Sequence, residues 1–300
     1  MPPLVSVRVV TYNHEKYIAQ CLEGILMQRA NFPFEVVVGE DCSTDRTREI
    51  VLRYQEKYPE TIKAILSPVN RGTAKNILQI EQVCRGKYHA VCEGDDYWID
   101  PLKLQKQADF MEAHPDVPMC FHDAFVVRDD KQAAPQYYCP PALPERLGVR
   151  DILCQTRVIP TASILARGEI LASLPKWRTE IRYGDLLIRL WCAHHGDLAY
   201  LGEAMSVYRV HAGGIIMSNR SLDLHQSTIA DIYRRFDDET RPRYSDLIEP
   251  AIRRTEQEYR FERLRGRLGR WAFLLRPDKA IERWRRNKEI LDRYGSMFRR

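Results

Sequence analysis

The first hundred residues alternate between two hydrophobic rhythms. Val5 to Val10 is a β-branched run that predicts a buried parallel strand. Tyr12, Asn13, His14 and Glu15 break it, and Ile18, Cys21, Leu22, Ile25 and Leu26 then fall at helical spacing. Phe34 to Gly39 predicts a second strand. A turn of helix-starting residues, Asp41 to Asp45, leads to a helix carrying Ile50, Val51 and Tyr54. Thr61 to Leu66 predicts a third strand and Lys75 to Val83 a helix. Tyr88 to Cys92 predicts a fourth strand, ending in Glu93, Gly94, Asp95 and Asp96. Strands alternating with helices predict an α/β chain with a mainly parallel sheet wound as βαβ units. Ligands of such sheets bind beyond the carboxyl ends of the strands. The polar clusters at 11–15, 41–45, 70–76 and 93–96 all fall at that edge.

Beyond residue 100 the pattern loosens. Leu102 to Met111 and Tyr183 to His195 predict helices, and Met119 to Val127 a strand. Residues 128–147 are polar and Pro-rich and predict a long loop. Leu198 to Leu201 and Ala204 to Val210 predict two short strands, closed by a turn at His211 to Gly214. From about residue 221 the pattern is helical, with Gly266 and Pro277 as expected division points.

Composition narrows the class. At 300 residues, 44% hydrophobic and 29% charged, the chain is expected to be globular. It has no apolar run of membrane-spanning length and no signal-like start, so a cytoplasmic location is expected. Eight cysteines without CxxC or zinc-type spacing predict reduced core thiols. The net charge of +5 is uneven: residues 251–300 carry 16 Lys and Arg against 7 Asp and Glu, the first 250 carry 30 against 34.

Glu93-Gly94-Asp95-Asp96 places three carboxylates in four residues after a strand, with a glycine permitting close approach. Carboxylate oxygens suit hard divalent cations, and a solvated acidic turn has the same composition. The order of the motifs decides. Val5 to Asn13, Gly39 to Thr47, Asn70-Arg71-Gly72 with Lys75 and Asn76, and Glu93 to Trp98 resemble successive motifs of family 2 glycosyltransferases of the GT-A fold. Val158 to Ser163, Gly184-Asp185 and Tyr208 to His211 continue the resemblance, which spans roughly residues 4–217. Residues 1–217 are thus expected to form the catalytic domain and 218–300 a basic helical region.

The resemblance implies transfer of a sugar from a nucleotide-diphosphate donor to an acceptor hydroxyl with inversion, assisted by Mn²⁺ or Mg²⁺. Thr11, Tyr12, Asn13 and Asp41 would line the nucleotide, with a lean toward uridine, and Asp45 would contact it or hold its turn. Asn70 and Lys75 are further donor-site candidates, and Asp96 a contact to donor sugar or acceptor. Glu93 and Asp95 would be the DXD pair, Glu93 standing where aspartate is commoner, with His211 as a further contact to metal or diphosphate. Asp185 would be the general base, although a carboxylate at a helix start also serves as a cap. Tyr97 and Trp98 could stack on a sugar or pack in the core.

The basic tail reads as a helical appendage or as an amphipathic surface for an anionic membrane carrying a lipid-linked acceptor. No nucleic-acid recognition motif accompanies it. Two other functions share some of these features: a nucleotidyltransferase that makes sugar nucleotides, and a non-catalytic scaffold. The first lacks its glycine-rich phosphate loop after strand one, and the second leaves Asp95, Asp185 and His211 without a role.

Overall fold

The computed structural model describes residues 2–129, 136–154, 158–181, 184–213 and 221–267, the last segment without the side chains of 221–226 and 258–267. Strands β1 (Val5–Thr11), β2 (Phe34–Glu40), β3 (Ile62–Leu66) and β4 (Tyr88–Glu93) alternate with helices α1 (Ile18–Leu26), α2 (Thr47–Lys57) and α3 (Thr73–Glu81). β1 lies between β2 and β4, parallel to both, and β3 extends the sheet beyond β2. Three consecutive crossovers therefore bring the ends of β1, β2 and β4 to one edge.

The pattern of buried positions explains these elements. Val5, Val7 and Val9 are fully buried, as are Ile18, Cys21, Leu22 and Ile25 of α1. Each such aliphatic burial stabilises the fold by about 1.5–3 kcal/mol. Gly39 lets α3 approach β2, because a Cβ there would lie 2.3 Å from Asn76 Oδ1 and 2.7 Å from Ile80 Cδ1. Asn76 Nδ2 in turn donates to the Gly39 carbonyl at 2.8 Å.

The second half continues the same sheet in a different sense. β5 (Tyr97–Trp98) and α4 (Lys103–Ala113) precede the long β6 (Met119–Arg128). β7 (Gln136–Tyr137), β8 (Arg146–Leu147) and α5 (Val149–Cys154) follow, then a 3-10 turn at Thr161–Ser163 and β9 (Leu165–Arg167). α6 (Gly168–Ala172), a second 3-10 turn at Lys176–Thr179, α7 (Gly184–His195) and β10 (Leu198–Val210) complete the sheet. Its order is β3-β2-β1-β4-β9-β6-β10-β5, with β9 antiparallel to both neighbours and β10 parallel to β6.

Three expectations are corrected. The two strands expected at 198–201 and 204–210 are one strand, β10, whose pairing with β6 shifts between Tyr200 and Ser206; Gly202, at φ 75°, sits in the shift. The loop expected at 128–147 contains β7 and β8, although 130–135 lie outside the described residues. The helical C-terminal part divides at 241–244, between α8 (Ser221–Thr240) and α9 (Ser245–Arg267), and Gly266 falls inside α9. Pro242, which lacks an N–H and disfavours helix for its predecessor, marks that break. The expected division at Pro277 and the basic residues from 268 onward lie outside the described residues.

Two hydrophobic clusters form the core. One joins β1, β2, α1 and α2 with Trp98, Leu104 and Met111. The other joins β6, α5 and α7 with Ile229, Ile232, Tyr233, Phe236, Ile248 and Ile252, so α8 and α9 share the core of the helix that carries Asp185. Among the described residues no helix is long and apolar enough to cross a membrane. All eight cysteines are free, and five are buried.

Candidate active site

Four polar turns meet at the carboxyl edge of the parallel strands. After β1 the chain turns at Asn13, whose φ of 56° is left-handed, a conformation asparagine tolerates better than most residues. The Asn13 N–H donates to Ser43 Oγ at 3.0 Å, and its Oδ1 accepts from the Thr44 N–H at 2.8 Å. The His14 N–H donates to Thr47 Oγ1 at 2.7 Å. Asp45 accepts from the backbone N–H groups of Glu15 and Thr47, at 3.0 and 2.9 Å. The turns after β1 and β2 are thereby fastened into one surface, and Asp45 is one of the fasteners. Burial opposes ionisation of Asp45, but these hydrogen bonds hold its carboxyl below the ordinary range.

Asp41, 3% exposed, accepts from the N–H groups of Arg71 and Gly72 at 2.8 Å each. It sets the third turn, where Asn70 Oδ1 accepts from the Gly72 N–H at 3.1 Å. A carboxylate has about four acceptor positions, so each oxygen keeps acceptor capacity beyond these two bonds. Tyr12 and Lys75 are exposed beside this surface, and Thr11 is buried beneath it.

The fourth turn, Glu93 to Asp96, follows β4. A Cβ on Gly94 would lie 2.7 Å from Thr11 Oγ1 and 2.9 Å from His14 Nδ1, so glycine is needed for the two turns to touch. Asp96 is 2% exposed; its Oδ1 accepts from the Arg209 N–H at 2.8 Å, while Oδ2 has no partner among the described residues. Burial, with the charges of Asp95 and Glu93, pushes its carboxyl well above the usual range. Asp96 thus ties the acidic turn to β10. Trp98 is 1% exposed and donates to the Ala162 carbonyl at 2.8 Å, which makes it a core residue rather than a sugar platform. Tyr97 lies under the Arg209 guanidinium, which also covers Tyr17.

β10 ends by delivering His211, 8% exposed, with Nε2 at 3.0 Å from Asp95 Oδ2. His14 Nε2 is 3.9 Å from the same oxygen. Ligand atoms of His14, Asp95 and His211 all lie within 4.8 Å of one another. Burial would raise the Asp95 carboxyl, but His211 and His14 hold it below its ordinary value. Imidazole and carboxylate donors converging in this way suit a divalent transition metal. Among the described residues this is the one group of that kind, and Glu93 stands outside it. Burial pushes the Glu93 carboxyl up to about 8, assisted by the charges of Asp95 and Asp185. Those two carboxylates therefore act on Glu93 from the acidic turn and from α7.

Asp185 occupies the first turn of α7, where a negative charge is favoured by the helix dipole, and it pairs with Arg189 one turn later. Residues 182 and 183, where a cap would be sought, lie outside the described residues. The structure therefore gathers Thr11, Asn13, Asp41, Asp45, Glu93, Asp95, Asp96 and His211 through the contacts above. Asp185 acts on Glu93 electrostatically. His14, Tyr17 and Arg189 were not singled out by the sequence. Tyr17 donates to Asp129 Oδ2 at 2.6 Å, and its ring packs at a tilt against His211 with centroids 4.7 Å apart. The signal for His14 lies in the broken strand end, where the sequence alone marks it as a turn residue.

Known proteins share the fold and parts of the sequence. The model of the family described as "Glycosyl transferase family 2" matches residues 6–172. A Mycobacterium tuberculosis protein, Rv1520, is 36% identical over 220 residues, 70% of this chain and 60% of the relative, so the chain spans well under two thirds of that relative's length. The structure of Staphylococcus aureus TarS in complex with UDP-GlcNAc superposes with a TM-score of 0.60 at 23% identity, covering 76% of this chain and 65% of that one. The mannosyltransferase PcManGT of Pyrobaculum calidifontis, in complex with GDP-Man and Mn²⁺, gives 0.60 at 17% identity, covering 85% and 74%. At these identities the two structures establish a common GT-A fold. With more than half of its length matched by the family model, and its sheet and motif order in agreement, the chain belongs to glycosyl transferase family 2.

Proposed function

We propose that this chain is an inverting glycosyltransferase that moves a sugar from a nucleotide-diphosphate sugar to an acceptor hydroxyl in glycan or surface-polysaccharide assembly. The observation that carries the reading is the convergence of His14, Asp95 and His211 at the edge where β1, β2 and β4 end.

The chemistry divides among these residues. Asp41, Thr11, Tyr12 and Asn13 form the surface for the nucleotide, with uridine the first base to test. Asp95 and His211 would hold Mn²⁺ or Mg²⁺, which supplies charge neutralisation for a departing diphosphate. Asp185 accepts the proton of the acceptor hydroxyl as that oxygen attacks the anomeric carbon from the side opposite the diphosphate. One base and no covalent nucleophile correspond to inversion. Arg189 pairs with Asp185 one turn along α7 and fixes its rotamer. Asp96 acts through β10, holding the strand that delivers His211.

TarS was solved with UDP-GlcNAc and PcManGT with GDP-Man, so bases and sugars of both kinds belong in the test. Purified protein with Mn²⁺ or Mg²⁺ is incubated with a panel of UDP- and GDP-sugars, and free nucleotide diphosphate is scored. Slow hydrolysis of one donor, abolished by EDTA, is the expected result. Absence of both turnover and metal-dependent thermal stabilisation across the panel would overturn the reading.

A further inference from the structure

We infer that His14 is a third protein ligand of the cation site, so that this chain binds a divalent transition metal before any nucleotide arrives. The inference rests on the metal assignment proposed for Asp95 and His211 and adds to it a ligand, an order of binding and a metal preference.

The distances fit one ion. Ligand atoms bonded at about 2.0–2.2 Å to one metal stand about 3–3.5 Å apart. Asp95 Oδ2 and His211 Nε2 are already 3.0 Å apart, and His14 Nε2 is 3.9 Å from the same oxygen. The remaining pair, His14 and His211, has ligand atoms within 4.8 Å of each other, so about 1–2 Å of side-chain adjustment closes the set.

His14 is also built into place. Its backbone N–H is fixed by Thr47 Oγ1, and its Nδ1 lies 3.3 Å from Thr11 Oγ1. That contact turns Nε2 toward Asp95, as the outer partners of metal-binding histidines commonly do. Gly94 leaves the space in which the His14 ring reaches the acidic turn. The Tyr17 ring packs against both imidazoles, with centroids 4.7 Å from His211 and 6.4 Å from His14.

Two consequences follow from the donor set. Two imidazoles and one carboxylate favour Mn²⁺ and its neighbours in the transition series over Mg²⁺, which prefers oxygen. Three protein ligands also retain the ion without help from a diphosphate, whereas one carboxylate and one imidazole would hold it weakly until the nucleotide bound.

The test uses the full chain, freed of metal, without nucleotide, titrated with Mn²⁺ and followed by the electron paramagnetic resonance of the free ion. Uptake of about one Mn²⁺ per chain that a tenfold excess of Mg²⁺ does not reverse is expected. His14→Ala should weaken nucleotide-free uptake by about 10- to 100-fold, with UDP or GDP restoring much of it. Spin-echo modulation of bound Mn²⁺ should report two imidazole nitrogens in the wild type and one in the variant. This wild-type signal decides the matter even if the variant folds poorly. A folded His14→Ala protein that takes up Mn²⁺ as tightly as the wild type overturns the inference. So does a wild type that binds Mn²⁺ only with UDP or GDP, which leaves the glycosyltransferase reading intact. No uptake under either condition removes both this inference and the metal assignment beneath it.

Discussion

Single residues set the terms of this site, and the least conspicuous of them act by being buried. His89 on β4 is 7% exposed; burial, reinforced by the charge of Arg8, lowers its pKa to about 3. Between that value and the ordinary 6.5, the unfolded chain binds a proton that the native state refuses. Stability should therefore fall as pH drops from about 6.5 toward 3. His89→Gln is expected to flatten this part of the melting-temperature profile, and parallel acid limbs for variant and wild type would refute the assignment. Residues with motif context are legible in the sequence: the ordered motifs single out Asp95, His211 and Asp41, and the fold brings all three to the edge where the parallel strands end. His14 was not, because its meaning depends on two turns, eighty residues apart, touching through Gly94. Glu93 shows the converse: its spacing suggests a ligand, while the ligand atoms that lie within 4.8 Å of one another are those of His14, Asp95 and His211.

Elements carry those residues only as well as they pack. α3 rests on β2 through the absence of a side chain at Gly39. Gly39→Ala is expected to cost about 1–3 kcal/mol, since Asn76 must give up its bond to the Gly39 carbonyl or the helix must shift. Urea denaturation measures the loss, and an unchanged midpoint would show that α3 is not held this way. The βαβ succession was legible because buried parallel strands leave dense β-branched runs. β10 was read as two strands because Gly202 and Glu203 interrupt its apolar pattern; the strand continues through a shift in pairing, which a periodicity cannot register. The break between α8 and α9 was missed for a simpler reason. Pro242 sits in a polar stretch, whereas the chosen markers, Gly266 and Pro277, lie further along the chain.

At the scale of the molecule, the half built on β1 to β4 and the half bearing Asp185 are continuous through one sheet, and the C-terminal helices brace the second half. Phe236 is fully buried among His194 and Tyr244, at ring distances of 6.2 and 5.6 Å. Phe236→Ala should destabilise the protein by about 3–5 kcal/mol in equilibrium unfolding. A loss below about 1 kcal/mol would mean that α8 is not part of this core. The central claim concerns Asp185 and is tested by separating binding from turnover. Donor affinity and donor turnover are measured in parallel for wild type and Asp185→Asn, using the sugar nucleotide that the panel identifies and Mn²⁺. The account predicts similar donor affinity and a loss on the order of 10²–10⁴ in transfer rate. Undiminished transfer by Asp185→Asn would contradict it and move the base elsewhere in the site.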